Sequence, residues 1–346
     1  MVSSFTPELE RLVRTALDAD ASDLHLIPGD PPTLRLRGKL ERMDLEEVSA
    51  ERTRELAAGL IGEENLARIG LELGEFQRSC GRPGEFNLSV AVARSRCGYT
   101  LAFRVMPPTI YGVKEMALPE AVVDAGFAAH GLIVFAGLTG SGKTTAMYGL
   151  LDHINAHLAR HICTVESPAH LHVTPKMALI QQREVGQDVP TRLAGIQAAM
   201  AQDLDVLMVG EVTTVEELQA CMTVAETGHL VLTQIHADSP EGTVYRILEV
   251  FPDELRPTAR KTLAATLRAV CAQRLLPRAD GHGRVAAYGV LIPDAEMRNA
   301  IASGADFMAR KSPWSDCCQT MGEHIERLLD EHVISEATAR QAMTAQ

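Results

Sequence analysis

The sequence predicts an α/β protein with a small α+β domain followed by a larger domain built on a mostly parallel sheet. Short strand and helix patterns alternate irregularly up to Met106, whereas apolar strands and longer helices alternate from about Leu118 onward. The chain has 346 residues, 46% of them apolar, which is enough material for two cores. We therefore place the domains at residues 1–106 and 118–346 and a linker at 107–117, where prolines and a glycine interrupt the pattern.

The first domain contains two predicted helices and four predicted strands. A helix over about Thr6–Ala19 begins at a Thr-Pro pair and repeats apolar residues on one face, and a second helical pattern covers Ser49–Ile69. The strands are runs of apolar or β-branched residues bounded by turn residues: Asp23–Ile27, Thr33–Arg37, Phe86–Val92 and Tyr99–Val105.

The second domain contains five predicted strands, most of which are short apolar runs: Leu132–Ala136, Ile162–Val165, Val206–Val209, Leu230–Ile235 and Val285–Ile292. One connecting helix has clear boundaries, because Thr213 and Glu216 form a possible capping box at its start and Gly228 offers a stop at its end.

Composition narrows the function classes. The formal net charge of −12 argues against a general nucleic-acid binder, which normally carries a basic face. The seven cysteines form no C-x-x-C pair, so the spacing of a zinc site is absent and a reducing compartment is expected. We find no leader pattern at the N-terminus, and no apolar run long enough to span a bilayer.

A glycine-rich motif gives the strongest functional signal. The segment 137–144 satisfies G-x-x-x-x-G-K-[ST], with a predicted strand before it and a predicted helix after it. Backbone amides in such a loop bind phosphate oxygens, Lys143 reaches the β- and γ-phosphates, and the Thr144 hydroxyl binds Mg²⁺. The motif does not identify the base, although no guanine-reading N-K-x-D sequence is present. The predicted nucleotide-binding residues here are Gly137, Leu138, Thr139, Gly140, Ser141, Gly142, Lys143, Thr144 and Thr145.

Two acidic residues end predicted strands and are candidates for catalysis. Phosphoryl transfer needs an acid near Mg²⁺ and a group that orients the attacking water, and both belong at the carboxyl ends of strands beside the phosphate-loop strand. Glu211 suits the Mg²⁺ shell, directly or through water, and Glu166 suits the orientation of water. The two roles are exchangeable at this stage, and either residue could instead be a solvated acid.

Two histidines flank the predicted strand Leu230–Ile235. His229 and His236 are either ordinary strand-end histidines or sensors of the γ-phosphate that signal to a neighbouring subunit.

Taken together, these motifs resemble the secretion and pilus ATPase superfamily, especially its twitching-motility retraction ATPases. The resemblance covers nearly the whole chain. It is carried by Ala21–Leu26 with Pro31-Pro32, Gly137–Thr145, Gln181–Gly186, Asp205–Glu211, Ala225–Val231 with His236, Arg298–Gly304, Gln319–Met321 and Val333–Ser335.

The resemblance implies a PAS-like N-terminal domain before a RecA-like ATPase domain, with ATP and Mg²⁺ as cofactors and the nucleotide between the domains. It further implies a cytoplasmic homo-hexamer that powers pilus retraction and associates with the inner membrane through a platform protein. A paralogous retraction ATPase is a further possible partner. Zinc is not expected, because the tetracysteine module of assembly ATPases is absent. Nucleic acid is not expected either, because the chain is acidic.

Departures from the family pattern keep a second function open. The acidic box reads Glu166-Ser-Pro-Ala-His170, the residues after Glu211 are Val-Thr-Thr instead of x-Arg-Asp, and Asn87 stands where the family has an arginine. These changes favour a slowly hydrolysing regulatory paralogue as the first alternative. A RecA-like DNA translocase is a second, disfavoured by the acidic charge balance.

Three arginines are candidates for contacting the nucleotide of a neighbouring subunit, and a structural salt bridge is an equal alternative for each. They are Arg104, Arg246 and Arg274.

Overall fold

The computed structural model describes residues 5–36, 38–72, 74–82, 85–106, 109–169, 171–305 and 318–344. Contacts divide the chain into two compact units. The first comprises Met1–Thr109 and Ser167–Thr174, and the second comprises Ile110–Glu166 and Pro175–Gln346. Parts of two sequence features, the linker at 107–117 and the acidic box at 166–170, lie outside the described residues, at positions 107, 108 and 170.

The first unit is an α+β fold around an antiparallel sheet with the strand order β3-β2-β1-β6-β5-β4. Its elements are α1 (Pro7–Asp18), β1 (Asp23–Leu26), β2 (Thr33–Leu36), β3 (Lys39–Arg42), α2 (Ala50–Ile61), α3 (Glu63–Arg68), β4 (Glu75–Arg82), β5 (Phe86–Ser95) and β6 (Gly98–Met106).

Local chemistry explains where the helices of this unit begin and end. Thr6 caps α1, because its hydroxyl accepts a hydrogen bond from the Leu9 amide at 3.3 Å. The single helix predicted over Ser49–Ile69 is wrong, because Gly62 adopts φ +83° and separates α2 from α3. Strands β3 and β4 were not predicted; β3 is fully exposed and lacks the apolar signal on which the strand prediction depended.

Over its described residues, the second unit is a seven-stranded sheet with helices, in the order β13-β12-β7-β11-β10-β8-β9. Its elements are α4 (Glu120–Ala125), β7 (Gly131–Ala136), α5 (Lys143–His157), β8 (His161–Glu166), β9 (Leu179–Glu184), α6 (Arg192–Met200), β10 (Val206–Glu211), α7 (Val215–Glu226), β11 (Leu230–Ile235), α8 (Pro240–Glu249), α9 (Arg256–Thr266), β12 (Leu267–Pro277), β13 (Arg284–Leu291), α10 (Ala295–Ser303), α11 (Met321–Asp330) and α12 (Glu336–Thr344).

The sheet is parallel except at one edge, where β13 runs antiparallel to β12. Every residue of β7 and β11 is buried, so both faces of the central sheet are covered, as expected for parallel strands between helices. Strands β9 and β12 were not predicted. The polar run Gln181–Glu184 and the polar residues Gln273 and Arg274 interrupt their apolar patterns.

The strand order corrects one expectation about the acids. The strands beside β7 are β11 and β12, and the acid-bearing strands β10 and β8 lie beyond β11. Parallel pairing nevertheless brings the carboxyl ends of all four strands to one edge of the sheet. At about 4.8 Å between neighbours, β10 lies about 10 Å and β8 about 14 Å from β7. Glu211 is therefore the nearer acid by strand position.

The start of α7 corrects a second expectation. The capping residue is Thr214, whose hydroxyl accepts from the Glu217 amide at 3.3 Å, and not Thr213 as the capping-box pattern suggested. The stop at Gly228 agrees with the prediction, because α7 ends at Glu226 and Gly228 follows with φ +106°. Among the described residues, no helix combines the length and apolar character required to cross a bilayer.

Candidate functional site

The phosphate loop lies between β7 and α5, and its backbone requires glycine. A Cβ atom on Gly137 would lie 2.3 Å from the Ser141 hydroxyl oxygen and 2.5 Å from the Gln273 carbonyl oxygen. Gly142 adopts φ +91°, and its Cβ would lie 2.6 Å from the Gln273 side-chain nitrogen. Both glycines therefore permit a close approach of β12 that any other residue would prevent.

Lys143 begins α5 and folds back over the loop. Its ammonium donates to the carbonyl oxygens of Gly137 and Leu138 at 2.8 and 3.0 Å, and the residue is only 7% exposed. Burial lowers the pKa of Lys143, and the carboxylate of Glu211 partly opposes that shift. The ammonium is therefore held inside the loop and within the electrostatic reach of Glu211.

Thr144 links the loop to the adjacent strand β11. Its hydroxyl donates to the Gln234 side-chain oxygen at 3.0 Å. Gln234 is buried at the end of β11, so it fixes the rotamer of Thr144 at the helix N-terminus, where backbone amides face anions.

His236 connects the phosphate loop to Glu211. Its Nδ1 lies 3.2 Å from the Gly137 carbonyl oxygen, and its Nε2 lies 2.8 Å from Glu211 Oε1. Both partners are acceptors, so a neutral imidazole satisfies only one of them at a time. The residues Gly137, His236 and Glu211 thus form a continuous polar chain across the ends of β7, β11 and β10.

Glu166 lies at the same edge of the sheet in a more buried position. It ends β8, is 2% exposed, and accepts a hydrogen bond from the Tyr148 hydroxyl at 2.5 Å. Tyr148 belongs to α5, the helix that follows the phosphate loop, and it is fully buried. Glu166 is therefore coupled to the loop through α5.

The structure does not bring His229 to the phosphate loop of the same chain. His229 precedes β11, and its carbonyl oxygen accepts from the Gly131 amide at the amino end of β7. Six residues of strand, about 20 Å, separate it from the carboxyl edge. Its Nδ1 instead lies 3.1 Å from the Val224 carbonyl oxygen. His229 therefore lies at the opposite edge of the sheet from the phosphate loop of its own chain, and its catalytic role stays a prediction.

The three candidate arginines lie in different environments. Arg104 is on β6 in the first unit, 70% exposed and 3.4 Å from an oxygen of Asp23. Arg246 lies on α8 and lines a cavity of 220 Å³ together with Glu211 and His236. Arg274 donates to the Ala342 carbonyl oxygen at 2.6 Å, which ties β12 to α12.

Three residues of the site escaped the sequence analysis. Gln234 and Gln273 are polar residues within apolar strand runs, a signal that would have drawn attention to them. Tyr148 carries no such signal, because an aromatic residue in a helix is ordinarily part of the core.

The loop fits the phosphates of a nucleotide. Among the described residues, the Ser141 hydroxyl oxygen and the Gln273 side-chain oxygen are buried and have no hydrogen-bond partner. These atoms lie beside a backbone cradle that a Cβ would fill and a buried ammonium. The Ser141 hydroxyl, the loop amides and the Lys143 ammonium are donors that suit a polyphosphate anion, whereas the Gln273 oxygen is an acceptor.

Comparisons with known proteins show which family the chain matches. The family model "Type II/IV secretion system protein" matches residues 111–346. The type IV pilus retractation ATPase PilT of Pseudomonas aeruginosa is 29% identical over 337 residues, covering 96% of this chain and 97% of that protein. A twitching motility protein of Neisseria gonorrhoeae is 30% identical over 312 residues, covering 89% of this chain and 83% of that protein.

A solved structure shares the fold as well. The crystal structure of the pilus retraction motor PilT with bound ADP superimposes with a TM-score of 0.84 at 31% identity, covering 96% of both chains. These matches confirm the predicted fold class, a RecA-like P-loop domain preceded by a small α+β domain, and the predicted ATPase. The chain belongs to the type II/IV secretion system protein family.

Proposed function

We propose that this chain is the ATP-hydrolysing subunit of a hexameric motor that powers type IV pilus retraction in twitching motility. The observation that supports it most directly is the polar chain from Gly137 through His236 to Glu211, set beside Lys143. A cation, an acid and a loop of amides close together support the hydrolysis of a triphosphate at this position. The mechanical process that ATP hydrolysis would drive, pilus retraction in twitching motility, is inferred from the names of the relatives.

The chain's own residues divide the work of hydrolysis. Lys143 would leave the loop carbonyls and pair with the β- and γ-phosphates. Thr144, oriented by Gln234, and Glu211 would hold Mg²⁺, directly or through water. When bound, Mg²⁺ neutralises negative charge on the phosphate oxygens. Glu166 would orient the attacking water, with its carboxylate positioned by Tyr148.

The oligomer and its location follow from the same relatives. We propose a homo-hexamer in the cytoplasm that acts at the inner membrane through a platform protein, alone or with a paralogous ATPase. In that ring Arg104, Arg246, Arg274 and His229 are the groups available to a neighbouring subunit's nucleotide. Arg246 lies in one cavity with Glu211 and His236 of its own chain, so it is equally available to that chain's own nucleotide.

ATP turnover tests the proposal. Purified protein should hydrolyse ATP in the presence of Mg²⁺, and Lys143→Ala should abolish turnover and weaken ADP binding. Glu211→Gln should abolish turnover while ADP still binds, because the loop and its lysine stay intact. Arg278→Gln is a suitable control, since Arg278 pairs with Asp280 on the surface, outside the site.

Two outcomes would contradict the motor. Turnover no higher than that of Lys143→Ala, with ADP still bound, would indicate the regulatory paralogue that the Val212–Thr214 departures favour. Hydrolysis stimulated by DNA would instead support a translocase.

A further inference from the structure

A buried ion pair joins α6 to the N-terminus of α7, outside the phosphate loop. Arg192 Nη1 donates to Glu217 Oε1 at 3.0 Å, and the two side chains are only 16% and 11% exposed. Charged residues are rarely buried to this extent unless they are paired and hydrogen-bonded. Burying such a pair gives little net stability compared with apolar residues of similar size. Its presence at this position therefore calls for a role other than stability.

The second carboxylate oxygen of Glu217 reaches the segment that follows Glu211. It accepts from the Thr213 amide at 3.0 Å, and the Thr213 hydroxyl lies 3.5 Å away. The next residue, Thr214, caps the same helix through the Glu217 amide at 3.3 Å. Glu217 thus holds the Thr213 backbone through its carboxylate and the Thr214 hydroxyl through its own amide.

Arg192 determines where that carboxylate points. Oε1 is directed toward the guanidinium and Oε2 toward the Thr213 amide, so the two contacts fix both oxygens of one planar group. One of the other two guanidinium nitrogens, Nε, is buried and has no hydrogen-bond partner among the described residues. Arg192 therefore keeps its hydrogen bond to Glu217 although its buried Nε donor is unsatisfied.

The segment held in this way is short. Only Val212 separates Glu211 from Thr213, and the Val212 amide donates to the Gln234 carbonyl oxygen at 3.3 Å. Glu211 is consequently bounded on its C-terminal side by two fixed backbone amides. A shift of this segment would therefore displace the backbone of Glu211, which directly precedes it.

We propose that Arg192 and Glu217 are positioning residues for ATP hydrolysis, holding Val212–Thr214 so that Glu211 stays aligned with the phosphate loop. The inference rests on the proposed function, since it presumes that Glu211 serves the chemical step. Where the structure describes the chain, no hydrogen bond joins either residue to the phosphate loop. Their loss should lower kcat and leave the affinity for ADP unchanged.

The test compares kcat with ADP affinity in variants of the full-length protein. Glu217→Gln should lower kcat by about 10²-fold, the order of effect expected when a catalytic group shifts by about 1 Å. The Kd for ADP should remain within about twofold of wild type, less than 0.5 kcal/mol. Arg192→Met should behave in the same way. Arg192→Lys should retain more of kcat than Arg192→Met, because lysine keeps the positive charge but lacks the planar guanidinium.

A paired replacement separates positioning from simple stability. Arg192→Met combined with Glu217→Leu removes both charges, so it should restore thermal stability relative to either single variant. It cannot restore the contact with the Thr213 amide, so kcat should stay low. The matched control is Asp152→Asn, which breaks the Asp152–Lys176 ion pair of the same unit and should leave kcat unchanged.

The outcomes distinguish this inference from the function on which it rests. If wild-type turnover equals that of Lys143→Ala, the proposed function fails. If wild type hydrolyses ATP and Glu217→Gln retains its kcat, or if the paired replacement restores kcat together with stability, the positioning role is overturned.

Discussion

Replacing Gly142 by alanine tests whether the loop geometry, and not the motif alone, creates the nucleotide site. The residue adopts φ +91°, and its new Cβ would lie 2.6 Å from the Gln273 side-chain nitrogen. Gly140 is the matched control, because it also has a positive φ, +79°, but a Cβ there would meet no atom within 4 Å. The two substitutions therefore share the backbone penalty and differ in the collision.

The two costs are estimated separately. A left-handed conformation costs a non-glycine residue about 1–2 kcal/mol, which applies to both variants. Moving Gln273 off its rotamer to clear the collision costs about 0.5–1.5 kcal/mol more, for Gly142→Ala alone. If the loop of the variant relaxes in the absence of nucleotide to avoid this strain, ADP binding must return the loop to its strained conformation, and this free energy is lost from binding. Gly140→Ala should then weaken ADP binding by roughly 5- to 30-fold, and Gly142→Ala by a further 2- to 10-fold.

The assay is equilibrium binding of labelled ADP, with Gln273→Ala as the rescue. The double variant Gly142→Ala/Gln273→Ala should bind ADP as Gly140→Ala does, after correction for Gln273→Ala alone. Equal affinities for Gly142→Ala and Gly140→Ala would refute the reasoning. A double variant that bound ADP no more tightly than Gly142→Ala would also refute the reasoning.

Three further predictions concern groups around the site and the core. Tyr148→Phe removes the 2.5 Å hydrogen bond to the buried Glu166 carboxylate, so it should lower the free energy of unfolding by about 1–3 kcal/mol and reduce kcat. Burial lowers the pKa of His324, whose Nδ1 accepts from the Tyr288 amide. The unfolded chain therefore binds more protons below pH about 6.5, stability should fall on acidification through that range, and His324→Gln should flatten the dependence in thermal melts. Among the six described cysteines, exposed Cys97 should react first with a thiol reagent, whereas burial raises the pKa of the three buried thiols and should protect them.

Sequence patterns predicted the parts of the fold that depend on strong local signals. The strands Leu132–Ala136 and Leu230–Ile235 were placed correctly, because a central parallel strand is an uninterrupted apolar run. Strands β9 and β12 were missed because glutamine and arginine interrupt their patterns. In β12 that interruption belongs to the site, since Gln273 packs against Gly142. The same residue, Gln273, thus both interrupts the apolar pattern of β12 and lies beside the phosphate loop.

The arrangement of the site depended on strand order, which local patterns do not contain. The motif identified Lys143 and Thr144, and strand-end acids identified Glu211 and Glu166. Only the sheet shows that β11 lies between β7 and β10, so that Gln234 and His236 come between the loop and the acid. His229 and His236 flank a strand of six residues, so they must lie at opposite edges of the sheet. The roles of these residues in hydrolysis stay predictions.

The intervening strand explains how a change at the phosphates would reach the rest of the unit. Lys143 and His236 both contact the Gly137 carbonyl oxygen, so moving the ammonium onto a phosphate changes the partner that His236 shares. His236 is also bound to Glu211, and the backbone after Glu211 is held by Glu217 and through it by Arg192 on α6. We therefore expect a local exchange of hydrogen bonds at the loop to reach α6 through this series of contacts. The departures after Glu211, which favoured slow hydrolysis when judged from sequence, leave that segment anchored. Loss of a charge at positions 213 and 214 is thus insufficient evidence that the acid is misplaced.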